Sequence, residues 1–82
     1  MMTATKTRAI LAAHFGVVAV TDDQSLTDDL GADSLGVLEL VMDLETAFGI
    51  DVPDARMEDV KTVADVVALV EGLIPARIAG LT

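Results

Sequence analysis

The chain contains only two aromatic side chains, Phe15 and Phe48, and no cysteine in its 82 residues. That restricts how it can build a core. Disulfides and zinc–thiolate sites cannot staple it, and thiol catalysis is excluded. The interior must come from Ala, Val, Leu, Ile and Met. The material is sufficient, because 52% of the residues are hydrophobic, too many for a disordered chain. The length holds one domain. A small aliphatic core gives modest stability and some pliability. It cannot wall off a large catalytic cleft. His14 is the single histidine and cannot form a metal cluster by itself.

Fourteen acidic residues against five basic ones give a formal charge of −9. Nucleic acid and anionic membranes repel such a chain. Its expected partners carry basic patches. No apolar run reaches the roughly 20 residues that span a bilayer. The start, MMTATKTRAILAAHFG, lacks a signal peptide's basic, apolar and small-residue order. A cytoplasmic protein is expected, and so charged a chain is expected to be a monomer.

Hydrophobic spacing predicts helices and no repeat. The first runs from about Thr3 to Phe15, with Ile10, Leu11 and Phe15 at helical spacing and Gly16 as its stop. The second runs from Asp33 or Ser34 to Phe48, with Gly49 placed for a left-handed cap. A short third turn opens at Pro53 and covers about Asp54 to Val60. The last helix runs from Thr62 to about Leu73. Thr62 and Asp65 resemble a capping box with Asp in place of Glu, and Val63, Val66, Val67 and Val70 form its apolar face. The run Val17 to Val20 is β-branched but has no partner strand, so it reads as an apolar anchor for the long loop from Gly16 to Asp33. Val18, Val20, Leu26 and Leu30 are spaced to pin that loop to a core, so it is expected to be ordered. Residues 75–82 form an expected frayed tail after a domain spanning 1–74.

The second helix carries two apolar stripes. At about 100° per residue, Val37, Leu40, Val41, Leu44 and Phe48 share a face wide enough to meet the core. Leu35, Leu38 and Met42 point almost the opposite way, among Glu39, Glu45 and Thr46. One helix at the edge of a small bundle cannot bury both stripes. An exposed apolar strip framed by carboxylates suits a greasy groove rimmed by Arg or Lys. The competing reading covers Leu35 and Leu38 with the loop and leaves Met42 as an isolated surface residue.

Ser34 lies where the loop meets this helix. Either Ser34 or Asp33 can cap the helix. Serine hydrolysis is not supported, because the only histidine is in the first helix and no G-x-S-x-G pattern exists. A serine modified by another enzyme remains open. A phosphate ester there would meet the positive end of the helix dipole. Asp33 would oppose it by like charge, yet could serve an incoming enzyme's metal ion or basic group. Asp22, Asp23, Asp28 and Asp29 crowd the loop without an EF-hand pattern, and solvated loop charge is preferred to a weak divalent-cation site or a part in the docking face. His14 is expected to be a surface or helix-end residue near the first helix's C-terminus. Arg56 and Lys61 are expected to pair with nearby carboxylates.

At Leu30-Gly31-Ala32-Asp33-Ser34-Leu35 the sequence resembles the acyl carrier proteins. Glu39-Leu40-Val41-Met42, Leu44-Glu45 and Phe48-Gly49-Ile50-Asp51-Val52-Pro53 continue that resemblance. It covers about Thr3 to Leu73. It implies an all-α four-helix bundle with a short third helix and a long loop between helices one and two. It implies that a phosphopantetheinyl transferase using magnesium attaches 4′-phosphopantetheine from coenzyme A to Ser34. Acyl groups would ride on the arm's sulfur as thioesters, so the reactive thiol is imported. Asp33, Leu35, Leu38, Glu39, Met42 and Glu45 would contact acyl-transferring and acyl-processing synthase enzymes. Gly36 departs from the Asp common in the family, and Thr46 and Ala47 replace common acids. The implied role is a carrier without catalysis of its own, in fatty-acid, polyketide or specialised lipid synthesis. The motif and the acidity favour this over a peptidyl carrier, and the length fits a dissociated system. The alternative is an unmodified acidic interaction domain with Ser34 as helix cap. A small hydrolase lacks both base and pocket.

Overall fold

The computed structural model describes residues 3–74. Four helices follow in order: α1 (Thr3–Phe15), α2 (Ser34–Phe48), α3 (Asp54–Met57) and α4 (Val63–Leu73). The helices fall where the hydrophobic spacing places them, and their arrangement is the helical bundle that the resemblance implies. The β-type pairing seen among the described residues is one isolated bridge between Ser25 and Thr62. Residues 75–82, read from sequence as a frayed tail, lie outside the described residues.

The core is aliphatic throughout. Leu11 of α1, Leu40 and Leu44 of α2, and Val63, Val66 and Val70 of α4 are fully or almost fully buried. Ile10, Phe15 and Phe48 pack against this cluster while half-buried. Thr7 is also buried. Its hydroxyl donates to the Thr3 carbonyl at 2.7 Å, which removes the cost of a polar atom inside.

Helix α3 is shorter than the turn of about Asp54 to Val60 expected after Pro53. It ends at Met57, and residues 58–59 form a turn closed by the Val60 N–H on the Met57 carbonyl. Pro53 opens it without a side-chain cap, and so short a helix gains little from propagation.

The long loop is ordered, but not by the residues at its start. Val18 is 102% exposed and Val17 is also exposed, so the Val17–Val20 run is not an anchor as a whole. Val20 and Leu26 carry that role, and Leu30 is half-buried. Backbone groups do the rest. The Val63 and Ala64 N–H groups donate to the carbonyls of Gln24 and Asp22, both at 3.0 Å. The Leu26 N–H donates to the Lys61 carbonyl at 2.9 Å. Free N–H groups at a helix start need partners, and here the loop supplies them.

A capping box completes the start of α4. The Asp65 N–H donates to Thr62 Oγ1, and Asp65 Oδ2 accepts from the Lys61 and Thr62 N–H groups. Those backbone bonds, from Lys61 first and Thr62 next, hold the Asp65 carboxyl below its ordinary 3.8, against a smaller opposing effect of burial. The expected ion pairs of Arg56 and Lys61 do not form among the described residues. Arg8 pairs instead, with Nε 2.7 Å from Asp22 Oδ1, because the loop brings Asp22 beside α1.

Because the Asp65 carboxyl is depressed in the folded chain, its stabilisation is present above the unfolded value and is lost as pH falls through the folded one. Asp65→Asn is expected to lower stability by about 0.5–1 kcal/mol at neutral pH. Urea unfolding should show the gap between parent and variant closing in acid below that ordinary value.

Candidate functional site

The entry to α2 is built from three consecutive decisions in the chain. Gly31 takes φ 73°, a left-handed conformation that glycine adopts without strain, and turns the loop out. The Ala32 N–H then donates to the Leu26 carbonyl at 2.7 Å, tying the approach to the buried part of the loop. Asp33, extended at φ −110°, caps the helix by accepting the Gly36 N–H on Oδ1 at 2.7 Å.

Of the two capping candidates in the sequence, Asp33 holds the position. Ser34 is the first helical residue, exposed, and its hydroxyl is left out of the cap. Asp33 and Ser34 border an open groove of about 530 Å³. Ala32, Val37 and Met57 give it an apolar floor, and Thr27, Asp54 and Glu58 stand at its polar edges. The sequence offered no direct signal for Thr27 or Met57 here. They arrive only because the loop and α3 fold against the start of α2.

The two stripes of α2 separate as their spacing implies. Leu40, Val41 and Leu44 are buried, with Val37 and Phe48 half-buried at the edges. Leu35, Leu38 and Met42 remain 62%, 53% and 57% exposed. The loop does not cover them. Glu39 is exposed in the same strip. Glu45 sits differently: its Oε2 accepts the Val52 N–H at 2.9 Å, and its carbonyl accepts from Gly49 and Ile50. It organises the turn after α2, where Gly49 takes the left-handed cap at φ 65°.

His14 is half-buried rather than fully at the surface, with Nδ1 3.2 Å from Asp43 Oδ2 across the α1–α2 seam. In the loop, Asp22 pairs with Arg8, Asp23 accepts from the Thr21 hydroxyl and Asp29 accepts the Ser25 N–H. No group of three or more potential metal ligands forms among the described residues.

A family model described as the phosphopantetheine attachment site matches residues 5–70. The fold also matches two solved structures at a TM-score of 0.80. One is a chain from Mycobacterium tuberculosis assigned as an acyl carrier protein, 31% identical, with 85% of this chain and 96% of that one covered. The other is the holo acyl carrier protein of Geobacter metallireducens, 25% identical, covering 100% of this chain and 95% of that one. The chain belongs to the acyl carrier protein family. It is a carrier protein, and its domain is one to which phosphopantetheine is covalently attached. No helix among the described residues is long and apolar enough to cross a membrane.

Because Asp33 is the cap of this carrier's α2, Asp33→Ala is expected to cost about 1 kcal/mol, and Asp33→Asn much less. Thermal or urea unfolding of the two variants beside the parent checks the difference.

Proposed function

We propose that Ser34 is the attachment residue, and that the chain carries acyl intermediates as thioesters on a 4′-phosphopantetheine arm. The observation that carries this reading is that Asp33 takes the capping role, leaving an exposed serine hydroxyl at the start of α2 beside an open groove. The alternative, in which Ser34 is merely the cap, loses its structural basis for the same reason.

The residues present suit the group. A slender arm with amides along its length can lie in a groove with an apolar floor and polar edges. When bound, the arm supplies the thiol that this cysteine-free chain lacks. In loading, Ser34 Oγ forms a bond to the β-phosphorus of coenzyme A. The phosphoanhydride bond breaks, 3′,5′-ADP departs, and the hydroxyl proton passes to a base of a magnesium-dependent phosphopantetheinyl transferase. The new phosphodiester charge lies at the positive end of the α2 dipole. Asp33 opposes it, but the Gly36 N–H already offsets part of the charge on Oδ1.

The exposed Leu35, Leu38 and Met42 with Glu39 and Asp33 form the proposed docking strip. Glu45 joins it only at its edge, since its carboxylate is held by Val52. The partners are synthase enzymes with an apolar groove and a basic rim, in fatty-acid, polyketide or specialised lipid synthesis in the cytoplasm.

Intact mass after incubation with coenzyme A, magnesium and a broad-specificity transferase tests the attachment residue. The parent should gain one phosphopantetheine and Ser34→Ala none, with helical circular dichroism retained. Equal gain in both would move the site elsewhere, and no gain in a folded, unmodified parent would overturn the reading.

The docking strip has its own test. Glu39→Lys should slow partner-dependent acyl transfer by about threefold or more at low salt and less at high salt. Unchanged rates at both would remove the strip from docking.

A further inference from the structure

Helix α1 contains no acidic residue, and two of its side chains reach across to α2. Lys6 is exposed, with Nζ donating to the Ala47 carbonyl at 3.4 Å and standing 5.1 Å from the centre of the Phe48 ring. A carbonyl at the end of a helix and the face of an aromatic ring both attract a cation. Because α2 has no basic residue in its own last turn, α1 supplies the cation there. Two turns further along α1, His14 Nδ1 lies 3.2 Å from Asp43 Oδ2. His14, Glu39, Met42 and Asp43 together line a groove along this border of the outward strip.

The acidic residues of the strip are therefore not equivalent. Asp43 gives one oxygen to His14. The Glu45 carboxylate is turned onto the Val52 N–H. Thr46 and Ala47 bring no charge, and Lys6 stands beside Ala47. Toward the start of the helix, Asp33 and Glu39 are exposed, and neither pairs with a basic side chain among the described residues. The strip is negative near Ser34 and carries a positive charge at its far end. Eight residues separate Glu39 from Ala47, about 12 Å along the helix. Screening at 0.1 M salt acts over about 10 Å. A docked surface meets the two ends as separate charges.

We propose that Lys6 determines partner specificity at the docking strip. The partner that fits is a synthase enzyme with a polarised rim, with Arg or Lys over Asp33 and Glu39 and a carboxylate over Lys6. A rim that is basic along its whole length sets like charge against Lys6 and binds less well. The inference rests on the docking reading of the strip.

The probe is a bacterial β-ketoacyl synthase whose carrier-binding rim is Arg and Lys throughout. Its Kd for the phosphopantetheine-loaded chain is measured at about 0.1 M salt, where a charge beyond the contact is largely screened. Lys6→Glu should tighten binding by about threefold, and Lys6→Gln by less, the scale of an exposed charge pair. Lys6→Gln also keeps a donor for the Ala47 carbonyl, so it carries the test if melting shows that Lys6→Glu is unfolded. Lys61→Gln removes the same charge outside α1 and α2 and should leave the Kd unchanged. Changing to Glu the rim base that lies over the end of α2 should tighten the parent and loosen Lys6→Glu, a coupling that net charge alone does not produce. Unchanged binding of the folded Lys6 variants overturns the inference. An equal response of Lys61→Gln, or no coupling to the rim, overturns it too. If Glu39→Lys still weakens binding in those cases, the docking reading stands without it. If Glu39→Lys has no effect either, both fall.

Discussion

The start of α4 is the point on which the rest of the bundle depends. A helix begins with N–H groups that lack intrahelical partners. At α4 these groups are answered by Gln24, Asp22 and the Thr62 side chain. Two of those three acceptors belong to the loop between α1 and α2. A loop of this length would be free to wander if its only ties were apolar. Here the unmet hydrogen bonds of one helix fix the path of a segment about forty residues earlier. Leu26 then drops into the core, and its own N–H closes on Lys61.

From that clasp the geometry passes along the chain to the serine. Leu26 accepts the Ala32 N–H, Gly31 turns the backbone, and Asp33 caps α2. The serine is not buried or gripped. It is presented at a fixed place by backbone contacts on one side and a helix on the other. The same helix divides its surface between two tasks. Leu40 and Leu44 hold it to the core, while Leu35, Leu38 and Met42 face outward. A helix that is apolar on both sides must have something to meet on each.

Much of this was legible in the sequence because its signals are local. Helical spacing of Leu11, of Leu40 and Leu44, and of Val63, Val66 and Val70 sets the three long helices, and each falls in the buried set. Gly49 and the Thr62–Asp65 pair mark ends that the structure reproduces. The family motif around Ser34 pointed to phosphopantetheine. Misreadings arose where long-range contacts decide. Val18 is β-branched and apolar, yet faces outward, while Val20, Leu26 and the backbone bonds to the start of α4 seat the loop. Arg56 and Lys61 sit near many acids in sequence, but Arg8 found its carboxylate only through the fold. The choice between Asp33 and Ser34 as cap could not be made from residue type, since both are good caps. The same holds for the groove, whose floor joins residues from the loop, α2 and α3.

The clasp also sets an order of events. The contacts that steer the loop join residues 22–26 to residues 61–64. During synthesis the serine leaves the ribosome well before its guide exists. Until the start of α4 has emerged and folded back, the approach to α2 lacks its ties to residues 61–64. On the proposed attachment at Ser34, a modifying enzyme therefore meets a well-placed hydroxyl only after the start of α4 has folded back against the loop. Closure of the clasp and readiness for the proposed attachment at Ser34 then coincide.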